Sequence, residues 1–121
     1  MKLLNRSSFT LLAKAPFAQW VASLEGKVSV EDGYELLTLE QLREAGSVYL
    51  IDEVVEEEDF EKLLHTSWQI MLENELSAWD EYADYWPPLS YELFTQWFDL
   101  QANLMSFDLS DAPIMSAKIS A

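Results

Sequence analysis

His65 is the one side chain in this sequence that titrates near neutrality without a special environment. Glu61 precedes it by one helical turn, and beside a serine or a metal such a pair could begin a general base. Nothing at ligand spacing completes it: there is no second histidine and no adjacent carboxylate pair. His65 therefore reads as a surface residue on the polar side of an amphipathic helix. The run Glu56-Glu57-Glu58-Asp59 offers oxygens to a divalent cation, but a calcium loop alternates its acids around a glycine and this run does not. At the start of a helix the dipole alone accounts for four acids. Gly26, Gly33 and Gly46 are isolated, so no phosphate-cradling loop is formed. The absence of cysteine excludes disulfides, zinc-thiolate sites and thiol catalysis. No catalytic residue, metal site or cofactor is assigned.

The most informative segment is Trp79-Asp80-Glu81-Tyr82-Ala83-Asp84-Tyr85-Trp86, where four aromatics interleave with three acids ahead of Pro87-Pro88. Trp and Tyr are enriched at interface hot spots, and carboxylates beside them suit the Arg and Lys of a basic partner. The structural alternative is that Trp79 and Trp86 fasten the connection to the core while Tyr82 and Tyr85 lean on the surface.

The elements that must position these residues come from a chain of 121 residues, long enough for one domain with a core. Half of the residues are apolar and 13% aromatic, far too many for a disordered acidic tail. The net charge is −15, and it is uneven: five basic against six acidic side chains over 1–50, two against sixteen over 51–121. Such a charge opposes direct binding of nucleic acid or anionic lipid. Neither a targeting signal nor an apolar run of membrane-spanning length is evident, which makes the cytoplasm the expected location.

Ser8–Ala13 reads as a strand. Pro16 at the first helical position opens a helix with Phe17, Trp20, Val21 and Leu24 on one face, stopped at Gly26. Residues 27–37 read as irregular or a short strand. Thr38 and Gln41 form a capping box for a short helix ended by Gly46. Val48-Tyr49-Leu50-Ile51 reads as a strand buried on both faces, the centre of a sheet. A helix follows over Glu56–Trp79, about 36 Å long, with Phe60, Leu63, Leu64, Trp68, Met71, Leu72, Leu76 and Trp79 on one side and a Glu58–Lys62 pair on its surface. Ser90 caps a last helix carrying Leu93, Phe94, Trp97, Phe98 and Gln101 inward. Leu104–Leu109 alternates as a half-buried strand. Residues 1–109 are thus expected to form a single α+β domain, a small three-stranded sheet with helices mainly on one face, with 110–121 a frayed tail. Trp20, Val48, Leu50, Phe60, Leu64, Trp68, Phe94, Trp97 and Phe98 are the expected core.

The elements F-x-L-x-x-K-x-P-F-x-x-W (Phe9 to Trp20), V-Y-L-I-x-E (Val48 to Glu53), E-L-x-x-W (Glu75 to Trp79), Trp86-Pro87 and F-x-x-W-F (Phe94 to Phe98) together resemble a group of small acidic bacterial proteins of unknown function. The resemblance implies no activity and no site.

The reading favoured by the residues is a non-enzymatic interaction or inhibitor module that docks a basic protein surface through its acidic, aromatic-rich second half. The interaction residues assigned on this basis are Trp79, Asp80, Glu81, Tyr82, Asp84, Tyr85 and Trp86, with Glu56, Glu57 and Glu58. One alternative is a DNA mimic occupying the nucleic-acid site of a basic protein, since ordered carboxylates can imitate phosphate spacing. Against it, Thr66, Gln69, Asn74 and Ser77 dilute the acids along the long helix. A small enzyme using carboxylates and His65 ranks last.

Overall fold

A computed structural model describes residues 1–25 and 38–119. The expected stop at Gly26 and the segment 27–37 lie outside the described residues. In chain order the elements are β1 (Lys2–Leu4), β2 (Arg6–Ala13), α1 (Ala15–Ser23), α2 (Leu39–Glu44), β3 (Ser47–Asp52), α3 (Glu58–Ser77), α4 (Tyr91–Trp97), β4 (Phe98–Asn103) and β5 (Ser106–Asp108). Three antiparallel strands in the order β3-β2-β4 make the main sheet, and β1 pairs with β5 in a separate antiparallel ribbon. This is a single α+β domain, as its composition and periods imply.

The eight-residue β2 is central because its alternation suits a sheet covered on one side. Phe9, Leu11 and Ala13 are buried on the helix-covered face, while Thr10 and Leu12 on the other are only partly covered. Ser7 is fully buried and fully satisfied: its hydroxyl donates to the Leu104 carbonyl at 2.9 Å and accepts from the Val54 amide at 2.9 Å. It ties the connection after β3 to the turn before β5. Gly46 lets α2 turn closely into β3, since a Cβ there would lie 2.7 Å from Leu12 Cδ2 and 3.1 Å from the Leu11 carbonyl and both would have to shift.

Against these strands pack Met71, Leu72 and Leu76 of α3, Phe17 and Val21 of α1, and Phe94 of α4, all buried. Phe17 lies 4.7 Å from Phe98 between ring centres, and Trp20 lies 5.8 Å from Trp97. Phe60 closes on Phe9 at 6.0 Å, and Trp68 leans on Tyr91 and Phe94. Both halves of the capping box form, Gln41 N to Thr38 Oγ1 at 3.2 Å and Thr38 N to Gln41 Oε1 at 2.9 Å. Ser90 Oγ caps α4 by accepting from the Leu93 amide at 3.0 Å.

Five expectations are corrected. β3 is an edge strand of the sheet, and Val48 and Leu50 are 63% and 53% exposed while Tyr49 and Ile51 face the core. Four consecutive apolar residues cannot declare which faces are covered, and here one face of the sheet carries the helices. The last helix ends at Trp97, not beyond Gln101, because Phe98–Asn103 pairs with β2 from Ala13↔Phe98 to Ser8↔Asn103. Its period of two, with Phe98 and Ala102 inward and Asp99 and Gln101 outward, overrides the helical spacing. The final strand is limited to Ser106–Asp108, and its apolar residue, Phe107, faces solvent. Pro16 stands one position later than expected, since Ala15 begins α1, and Lys62 pairs with Asp59 at 3.9 Å instead of Glu58.

Candidate interaction surface

The segment after α3 is organised by one buried carboxylate. Asp80 is 1% exposed, and its side chain accepts from the Tyr85 amide at 2.7 Å and the Asp84 amide at 3.3 Å. Its carbonyl accepts from the Ala83 amide at 3.2 Å and from Trp86 Nε1 at 3.0 Å. Trp20 Nε1 donates to the Tyr85 carbonyl at 3.1 Å, fixing the loop to α1. Ala83 sits in the left-handed region, with φ of 59°, a conformation that costs a non-glycine residue about 1 kcal/mol and persists only when its surroundings impose it. The loop is therefore pre-shaped, and it projects Glu81, Tyr82 and Asp84 outward, with Tyr82 80% exposed and Tyr85 nearly half exposed.

The structure divides the residues assigned from sequence. Trp79 and Trp86 are half-buried against the core and serve as the loop's anchors. Asp80 faces inward and is a clamp, not a surface acid. Glu56, Glu57 and Glu58 are exposed, but they lie at the opposite end of α3, a helix of 20 residues and so about 30 Å long. They do not form one continuous surface with the 81–85 loop.

Among the described residues, the ion pairs that form leave the charge at both places open. Lys2 lies against Asp108 at 3.4 Å, Lys62 against Asp59, and both Lys14 and Arg43 against Asp99 at 3.9 and 2.9 Å. Among the described residues no Lys or Arg stands within ion-pair distance of Glu56, Glu57, Glu58, Glu81 or Asp84. His65 is exposed, 4.0 Å from Glu61 and 5.3 Å from the Tyr91 ring. No group of three metal-ligating side chains converges among the described residues, and no helix there is long and apolar enough to cross a membrane.

One polar cluster was not singled out from the sequence. Glu75 on α3 accepts from Ser47 Oγ at 3.0 Å and from the Tyr49 hydroxyl at 2.5 Å, and Asn74 Nδ2 donates to that hydroxyl at 2.9 Å. Burial, with the neighbouring Glu75 carboxylate adding to it, holds the Tyr49 hydroxyl well above the ordinary tyrosine range. Tyr49 keeps its proton at neutral pH, and the cluster fastens β3 to α3. Its signal was available: hydroxyls at i and i+2 of a strand, and an acid next to the apolar stripe of a helix.

Compared with known proteins, the chain matches no family model, no curated protein and no solved structure, so function rests on its own geometry.

Proposed function

We propose that this protein is a non-enzymatic cytoplasmic interaction or inhibitor module that docks a basic surface of another protein. The observation that carries the reading is the Asp80 clamp, which holds Tyr82 out between Glu81 and Asp84, acids with which no described Lys or Arg pairs. An aromatic ring presented in a fixed geometry loses little entropy on binding, and acids around it suit lysine or arginine over its face. The duplex-mimic reading has less support, because Glu56 to Glu58 are separated from Glu81 and Asp84 by the length of α3 and the helix between carries few acids. The test is a photo-crosslinking phenylalanine analogue placed at position 82, with position 69 as an exposed control on α3. The expected result is one dominant adduct from position 82, rich in Lys and Arg at the linked site, that Glu81→Lys abolishes. Equal labelling from both positions would remove the loop from consideration.

A further inference from the structure

The ribbon of β1 and β5 leaves an apolar face in solvent. Leu3 is registered opposite Phe107, so the two share one face, and Met105 and Leu109 lie two residues to either side of Phe107. All four are at least half exposed. The other face holds the Lys2–Asp108 ion pair, whose Asp side chain is only 14% accessible. A two-stranded ribbon is marginal in water, and a one-sided sheet gains by turning its apolar residues inward. This one turns Leu4 and the Asp108 carboxylate toward the body of the domain, leaves Lys2 half exposed, and turns Leu3 and Phe107 to solvent.

The apolar face continues into a cleft of about 590 Å³ between Glu57 and Phe60 on one side and Ala102 to Met105 on the other. Met105, the residue just before β5, is exposed and lines the cleft, so the cleft opens beside the ribbon. Glu57 also lines the cleft, Glu56 and Glu58 flank Glu57 in the chain and are exposed, and no cation among the described residues lies within ion-pair distance of the three. We propose that this surface docks a cationic amphipathic segment of another protein, its apolar side on Leu3, Met105 and Phe107 and its Lys or Arg residues on Glu56 to Glu58. Charge decides the occupant. A second copy would bring a further net −15 and the same acids, and an anionic bilayer would be repelled. A cationic amphipathic segment satisfies both halves of the surface, and the flexible thioether of Met105 adapts to its side chains. The surface lies at the far end of α3 from the 81–85 loop, so either can fail without the other.

The experiment uses the full chain labelled with 13C at its methionine methyl groups. The probe is a synthetic helix of about 18 residues in which Leu and Lys repeat at helical spacing, and the comparison peptide has the same lysines with Ser in place of Leu. Met105 is expected to shift on titration with the Leu/Lys peptide, while buried Met71 and Met115 of the C-terminal segment stay in place. The Lys/Ser peptide should bind at least about tenfold more weakly, and Phe107→Ser should weaken the Leu/Lys peptide by about tenfold. Glu57→Lys, which leaves the apolar face intact, should weaken it too, and Tyr82→Ala should not. Equal affinity for the two peptides, a shift at Met115 without one at Met105, or wild-type binding by Glu57→Lys would overturn the proposal. So would a wild-type dimer in sedimentation that Phe107→Ser dissociates, since the occupant would then be a second copy.

Discussion

Asp80→Ala tests the clamp on which the loop depends. The carboxylate holds a short bond from the Tyr85 amide, 2.7 Å, and a longer one from the Asp84 amide, 3.3 Å. Hydrogen bonds to a charged acceptor contribute about 1.5–3 kcal/mol each, with the longer bond near the bottom of that range or below it. Relief of the desolvation cost of the buried carboxylate offsets part of the loss. The expected destabilisation is about 3 kcal/mol. With a urea dependence of about 1.5 kcal/mol per molar, the midpoint should fall by about 2 M. Asp80→Asn retains one carbonyl oxygen but turns an amide donor toward the second backbone N–H, so it should lose about 1–2 kcal/mol and fall between the two. Unfolding followed by tryptophan fluorescence reads both. Amide exchange at residues 83 to 85 should accelerate in each variant, because Ala83 is then no longer held in its left-handed conformation. A midpoint shift below about 0.3 M for Asp80→Ala, or an Asn variant weaker than the Ala variant, would refute the clamp.

Trp68→Ala should cost about 3 kcal/mol, since the ring packs on Tyr91 and Phe94, and an unchanged melting temperature would count against that packing. Leu50→Thr should change stability by no more than about 0.5 kcal/mol, because the side chain faces out of an edge strand; a loss of several kcal/mol would restore the doubly buried placement. The raised Tyr49 hydroxyl gives an alkaline prediction. Its proton favours the folded state, so the contribution is whole below the ordinary tyrosine value near 10 and is lost as pH rises above it. Unfolding and the Tyr49 part of the tyrosinate absorbance, identified by difference from Tyr49→Phe, should therefore appear together; a tyrosinate step at Tyr49 in the folded protein would contradict this.

Local signals in this sequence were legible, and relations between distant segments were not. The Thr38–Gln41 box, the Ser90 cap and the stripe Met71, Leu72 and Leu76 each depend on neighbours within a helical turn or two, and each forms. Val48 and Leu50 depend on whether a second layer covers β3, which no local pattern states. Phe98–Asn103 carries helical and strand periods at once, and the partner that decides between them, β2, lies some ninety residues earlier. For the candidate site, the aromatic spacing pointed to Tyr82, whereas the inward turn of Asp80 depends on the backbone amides of Asp84 and Tyr85. The alternation over Leu104–Leu109 was legible, but alternation reveals two faces without saying which one meets water, and Phe107 is half exposed.

The central place of β2 has a consequence for the order of events during folding. Phe9 faces Tyr49 on one side and Ala102 on the other, so the middle strand is synthesised long before either neighbour exists. Contacts so remote in sequence slow folding, and in the interval Phe9, Leu11 and the unsatisfied backbone of β2 form a sticky edge on every nascent copy. The β2 segment itself carries almost no net charge, and nearly all of the net negative charge arrives after residue 50, with two basic against sixteen acidic side chains over 51–121. Their arrival, before β4 emerges to close the sheet, makes growing chains repel one another during the time when β2 is still half open. A mutation that neutralised those acids would then be felt first in the yield of folded protein, at a stage when the finished domain does not yet exist.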